Sequence, residues 1–166
     1  GYFLATPIQL TLGTAVLASE GNTYIPHLLL GSINKKTKEL KKYNHLENTF
    51  SAQIGNPEYL DIVQHAMWRV INEKGVGTAS HLQKVKGIEI AGKTGTAQVY
   101  SLDAGRSTKK KLQDHALFIS YAPFNNPEIV VTVIIEHGGS GSTAAAPVAR
   151  NIINFYNKKQ TQLTKK

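Results

Sequence analysis

The sequence predicts an α+β fold, an antiparallel sheet with helices on both faces. Two segments open on helix-capping signals and continue with apolar residues at helical spacing. Three apolar segments of strand length follow, the last two joined by a short loop of turn-forming residues. Those two run apolar almost throughout instead of alternating, so an antiparallel pair made from them needs cover on both faces.

The first helix starts at Thr6-Pro7-Ile8-Gln9. Thr6 can cap, Pro7 suits the first helical position, and Gln9 can complete a capping box. Ile8, Leu12, Ala15, Val16 and Leu17 follow, with Gly21 as the stop. Tyr24 to Ile33 reads as extended, Asn34 to Thr37 as a turn, and Glu39 to Tyr43 as a return strand. Asn56-Pro57-Glu58 opens a second helix, with an apolar stripe of Leu60, Val63, Met67, Val70 and Ile71 and an end near Gly75. Met67 and Trp68 at that spacing read as core, not as a ligand platform.

Strands are expected at Ile88 to Val99, Asp114 to Ala122 and Glu128 to Glu136, with Pro123 to Pro127 joining the last two. A final helix from about Thr143 to Asn157 carries Val148, Ile152, Ile153 and Phe155, and tolerates Pro147 in its first turn. Tyr100 to Gln113 has the least regular pattern and reads as a mobile loop.

At 166 residues the chain has the length of one domain, and 41% hydrophobic with 18% charged residues is ordinary globular composition. No apolar run reaches the length of a membrane-spanning helix. The sequence begins Gly1-Tyr2-Phe3-Leu4, without an initiator Met or a basic leader, and so reads as a portion of a longer protein. Its formal charge of +8 favours acidic partners, although the lysines cluster in short runs that read as solvated loops and a frayed end. Nucleic-acid binding is disfavoured, because no recognition module or aromatic-basic interleaving accompanies those runs. With no cysteine, disulfide and thiolate chemistry are excluded. The six histidines are scattered, with no H-x-H or H-E-x-x-H, so no metal site is expected.

The segment with the most chemistry is Ala91-Gly92-Lys93-Thr94-Gly95-Thr96-Ala97-Gln98-Val99. Lys93 supplies a cation on a strand, and the period of two points the Thr94 and Thr96 hydroxyls the same way. Gly92 and Gly95 would weaken a strand unless another backbone or a ligand must come close. Such an edge suits an extended peptide that ends in a carboxylate. Gly138 to Thr143, glycine-rich before a helix, could hold phosphate. It lacks the lysine and spacing of a P-loop and reads better as a loop bordering a cleft.

Lys-Thr-Gly belongs to the motif set of serine β-lactamases and penicillin-binding proteins, with Ser-x-x-Lys and Ser-Asp-Asn. Around it stand Gly1-Tyr2 with Ala5 to Gln9, Pro26 to Leu29, Gly77 to Ala79, Asp114-His115, Tyr121 to Glu128 and Glu136 to Gly139. In this order, over nearly the whole chain, they resemble the class B penicillin-binding proteins, in particular the branch that serves rod-shape elongation. The resemblance implies the C-terminal portion of a transpeptidase domain over residues 1–158, followed by a basic, disordered tail over 159–166.

It also implies roles. Lys93 would supply positive potential, Thr94 and Thr96 would hold the carboxylate of a stem peptide or β-lactam, and Gly95 would leave room for the substrate backbone. The N–H of Thr96 would form half of an oxyanion hole. No cofactor is implied. The implied partners are peptidoglycan stem peptides, β-lactams, the remaining N-terminal part of the same protein, an elongation-complex glycosyltransferase and a rod-shape scaffold protein. The implied location is the periplasmic face of the inner membrane, with an N-terminal anchor outside this sequence. A non-catalytic β-lactam sensor or interaction module of the same fold is the alternative.

The nucleophile motif is absent from its expected place. Ser32-Ile33-Asn34-Lys35 fits both Ser-x-x-Lys and Ser-x-Asn but sits at a charged hairpin tip. Ser107-Thr108-Lys109-Lys110 follows the Lys-Thr-Gly segment and lies in a basic loop. A catalytic lysine must be desolvated to act as a base at neutral pH, and a basic cluster opposes that. The serine and its lysine are therefore expected outside this chain, and the 166 residues alone are expected to be inactive.

Overall fold

A computed structural model describes residues 4–43, 52, 55–99 and 113–163. Helix α1 (Pro7–Ala18) begins as its sequence dictates. Thr6 Oγ1 accepts the Gln9 N–H at 3.3 Å, and Gln9 Oε1 accepts the Thr6 N–H at 2.8 Å, so two orphan donors of the first turn are satisfied. The helix ends ahead of Gly21, where Glu20 and Gly21 turn through positive φ. Its buried residues are Thr14 and Ala18, whereas Ile8 is 53% exposed. Small residues line the contact because α1 packs closely over the sheet, and the Thr11 hydroxyl reaches that of Thr132 at 2.8 Å.

The hairpin of β1 (Gly31–Ile33) and β2 (Leu40–Lys42) is shorter than expected, because the segment before Gly31 forms no strand. Gly31 lies against the backbone of Lys41 and Lys42, where a Cβ would sit 2.5 Å from the Lys41 carbonyl. Helix α2 (Pro57–Asn72) is capped by Asn56, whose side chain accepts the Glu58 N–H at 2.9 Å. Leu60, Met67 and Ile71 are buried as expected, but Val63 is 41% exposed and lies off the buried stripe. Gln64 donates to the Leu17 carbonyl and ties α2 to α1. Trp68 is half-buried, and its indole N–H reaches Glu89 at 3.0 Å.

The main sheet has the order β3-β4-β5, all antiparallel, built from β3 (Ala91–Ala97), β4 (His115–Ala122) and β5 (Ile129–Ile135). The first strand starts later than expected because Ile88 bridges back to Val85 around Gly87, which adopts φ +77°. After β5, a π-helical turn (Gly141–Ala145) leads into α3 (Ala146–Leu163). The final helix thus opens differently from its sequence reading and runs further. The expected disordered tail from residue 159 is corrected by this helix as far as Leu163. Gln160 donates to the Tyr156 hydroxyl at 2.8 Å and Thr161 to the Asn157 carbonyl at 2.9 Å, which hold that last stretch. The expected mobile loop falls almost wholly on residues 100–112, outside the described residues.

Cover on both faces is what the sheet receives. On one face Ala116, Phe118, Ala122, Val131 and Val133 pack against Ala145, Ala146, Ala149 and Ile153. On the other Ala91 and Tyr121 meet Ala18 and Met67, with Trp68, Ile119, Phe124 and Val130 around them. Each large apolar side chain buried this way contributes about 1.5–3 kcal/mol. β4 supplies both layers by alternation, which explains why its sequence is apolar at nearly every position.

Tyr121 carries a testable consequence. Its hydroxyl is buried and makes no hydrogen bond among the described residues. Burial pushes its pKa up to about 12. The folded state therefore favours the neutral phenol, and the associated stability is intact below the unfolded pKa of about 10. It should be lost as pH rises from there through the folded value, at about 1.4 kcal/mol per pH unit. Denaturant titrations of the parent and Tyr121→Phe should diverge above pH ~10, with the variant keeping more of its stability. Equal losses in both proteins would acquit the phenol.

Candidate active site

β3 is an edge strand, paired with β4 on one side and with no strand on its other side among the described residues. In an antiparallel strand the N–H and C=O of one residue point the same way, and the direction alternates. Two bonds fix the phase. The Glu89 carbonyl accepts the Phe124 N–H at 2.9 Å, and the Val99 N–H turns toward Asp114. Odd residues therefore face β4, and Gly92, Thr94 and Thr96 turn their backbone groups to the open edge. In agreement, the Lys93 ammonium reaches round to the Thr94 carbonyl at 2.6 Å.

Side chains alternate at right angles to this. Ala91 lies in the layer with α1 and α2, so Lys93 and Gly95 belong to that face. Thr94 and Thr96 stand opposite Phe118 and Ala116 and share their face, with their hydroxyls on one side as the sequence pattern requires. Lys93 and Thr96 are exposed, and Thr94 is half-buried. The four residues singled out in the sequence thus form one open edge: a cation, two hydroxyls and outward N–H groups within one turn of chain.

The two strand glycines have different reasons. A Cβ on Gly92 would meet the Phe118 ring at 2.6 Å and the Ile119 carbonyl at 2.7 Å, so its smallness serves the core beneath, not a ligand. A Cβ on Gly95 would be only 3.2 Å from Leu117 Cβ, a milder conflict. Above Gly95 lies Gly141, whose added Cβ would strike the Leu117 carbonyl and come within 2.6 Å of the Gly95 carbonyl. The glycine-rich segment before α3 therefore closes on the strand's own backbone.

Two contacts made by segments singled out in the sequence were not anticipated there. One is that contact of Gly141 with Gly95. The other is Thr78, whose Oγ1 lies 3.1 Å from Thr94 Oγ1. No spacing rule joins residues sixteen apart on a loop and a strand, and only the packing of α2 against β3 brings them together. Among the histidines, His115 and His137 meet with ring centroids 4.8 Å apart, and His115 Nδ1 accepts the His137 N–H. No group of three metal-ligating side chains occurs among the described residues. Ser32 lies on the exposed hairpin, and the Asn34 side chain accepts the Lys36 N–H of its own turn. Ser107 lies outside the described residues.

Lys-Thr-Gly on the open edge of a helix-covered antiparallel sheet fits the motif set of penicillin-binding proteins. The chain belongs to that family, matching the penicillin binding protein transpeptidase domain over residues 1–154. Its relatives include the peptidoglycan D,D-transpeptidase MrdA of Haemophilus influenzae, 35% identical over 99% of this chain and 26% of the relative. MrdA of Acinetobacter baumannii is also 35% identical, over 89% of this chain and 22% of its own length. Among solved structures, PBP2 of Pseudomonas aeruginosa in complex with WCK 5153 is 36% identical, with a TM-score of 0.71 over 94% of this chain and 31% of that one. Helicobacter pylori PBP2 in complex with MreC is 27% identical, with a TM-score of 0.68 over 98% of this chain and 26% of that one. The chain spans about a quarter of the length of the MrdA relatives that it matches.

Proposed function

We propose that this chain is the C-terminal portion of a peptidoglycan D,D-transpeptidase that serves cell-wall elongation, and that it supplies the substrate-holding edge of the active site. The observation that carries this is the open edge of β3, where Lys93, Thr94 and Thr96 stand together with the Thr96 N–H turned outward. A stem peptide ending in D-Ala-D-Ala lies along that edge, antiparallel to the strand, as peptides add to sheet edges elsewhere. Its terminal carboxylate meets the two threonine hydroxyls and the field of Lys93.

A serine from another segment of the same protein attacks the penultimate carbonyl. The developing oxyanion accepts the Thr96 N–H, terminal D-Ala leaves with a proton, and the acyl-serine then passes its acyl group to a neighbouring stem amine. β-Lactams stop the cycle at the acyl-serine. Gly95 keeps the strand low enough for the peptide backbone to approach. The four residues carry substrate and charge, and the covalent step belongs to the serine-bearing segment. No cofactor enters this scheme.

The relatives named MrdA and the complex of a neighbouring PBP2 with MreC support two further parts of the reading. The first is a rod-shape scaffold protein as partner; an elongation glycosyltransferase as a further partner follows from the proposed function alone. The second is a location on the periplasmic face of the inner membrane, with an anchor outside these residues; no described helix is long and apolar enough to cross a membrane.

Incubation with a labelled penicillin tests the core of this. The longer protein should acquire a covalent adduct on a serine outside residues 1–166, while the isolated chain acquires none by mass spectrometry. An adduct on any serine of the isolated chain would overturn the division of labour.

A further inference from the structure

Thr78 stands at the rim of the β3 edge on a loop that has little freedom. Gly77 is packed against the carbonyl oxygens of Arg69 and Val70 at the end of α2, so closely that no Cβ fits. Ala79 is fully buried, and its N–H donates to the Val70 carbonyl at 2.9 Å. Between these two anchors Thr78 is exposed, with Oγ1 3.1 Å from Thr94 Oγ1. The loop therefore presents one hydroxyl, at fixed height, to one of the two hydroxyls of the substrate edge.

A threonine hydroxyl has one proton and two acceptor sites. If Thr94 donates to Thr78, its only proton is spent and it meets a carboxylate with lone pairs. If Thr78 donates to Thr94, the Thr94 proton is released toward the open edge, and accepting one hydrogen bond polarises its own O–H as a donor. An anion on the edge selects the second arrangement.

We propose that Thr78 is a positioning residue for carboxylate recognition: its hydroxyl donates to Thr94 and turns the Thr94 proton toward the substrate's terminal carboxylate. This deepens the reading above and rests on it. Thr78 itself touches no reacting atom, and its effect is confined to ligands that bring an anion to Thr94.

The test uses the full-length protein, with benzylpenicillin and its methyl ester as probes, and second-order acylation rates as the readout. Thr78→Val keeps the shape and removes the hydroxyl. It should slow acylation by benzylpenicillin by about three- to tenfold, because Thr94 keeps its own bond to the carboxylate but loses the donor that orients and polarises it, and change the ester's rate by less than about twofold. Thr78→Ser, which restores a hydroxyl at the same place, should recover most of the lost rate. Equal losses on both probes would show a structural role and overturn the proposal, as would an unchanged rate with benzylpenicillin. Absence of acylation in the parent protein would instead bring down the transpeptidase assignment, and this inference with it.

Discussion

Thr96→Pro, introduced into the serine-bearing protein, is expected to slow acylation by penicillin by about 10²- to 10³-fold while the sheet remains assembled. Proline has no N–H, so the substitution deletes the donor assigned to the oxyanion. In most strands it would also break a ladder bond. Here it should not, because residues 92, 94 and 96 turn their N–H groups to the open edge, where proline is tolerated. The Thr96 hydroxyl is lost as well, and Thr96→Val controls for it by keeping the N–H. That variant should lose about tenfold, the cost of one hydrogen bond to the carboxylate. If proline and valine cost the same, the N–H is not the donor and the phase assigned to β3 has no catalytic meaning. A circular dichroism spectrum like the parent's, for both variants, separates chemistry from unfolding.

Local chemistry made much of this fold legible. The capping box of Thr6 and Gln9 and the cap at Asn56 are written within four residues each, and both helices begin where those residues place them. Strand β4 was legible for the opposite reason: its unbroken apolar run could be satisfied only by cover on two faces. Readings that required knowing the neighbour came out less well. Ile8 and Val63 fit a helical stripe by spacing, yet both are exposed, since periodicity identifies a face without saying how wide its contact is. Ile88 looked like strand until Gly87 turned the chain back on Val85.

The site divides in the same way. Lys93, Thr94 and Thr96 lie within four residues of one strand, so its period of two sufficed to put the two threonine hydroxyls on one face and Lys93 on the other. Gly92 was left open between a close backbone and a ligand, and its neighbours are the Phe118 ring, twenty-six residues away, and the Ile119 carbonyl, both on the next strand. Thr78 and Gly141 reach the edge only through tertiary packing; their segments stood out in the sequence, but nothing there named the strand residues they meet.

Gly141→Ala should be among the most damaging single-methyl additions in the chain, and it should injure the site as well as the fold. Gly141 is fully enclosed at the start of the π-helical turn, where that turn crosses the β3–β4 ladder. A Cβ there would strike the Leu117 carbonyl, 2.6 Å from the Gly95 carbonyl and 3.1 Å from the Gly95 nitrogen. These are backbone atoms in the middle of a sheet, with no rotamer to yield. Either the turn lifts from the strand, or the strand shifts beneath it. Lifting the turn draws α3 with it, because Ala145, Ala146 and Ala149 sit fully buried on the same face. Overpacking of this kind typically costs about 1–3 kcal/mol, and a rigid neighbour places the expectation at the upper end. Because Gly95 lies between Thr94 and Thr96, any shift moves both hydroxyls and the Thr96 N–H by tenths of an ångström. Acylation by benzylpenicillin should then fall by at least about tenfold even where the variant is still folded, since misplacement of about 1 Å can cost about a hundredfold. Gly139→Ala is the control: nothing lies within 4 Å of its added Cβ, and its penalty comes only from φ +75°. It should lower thermal stability and leave the acylation rate of the folded fraction near that of the parent. If Gly141→Ala behaves like Gly139→Ala, the turn does not brace the strand, and the precision of the edge comes from β4 alone.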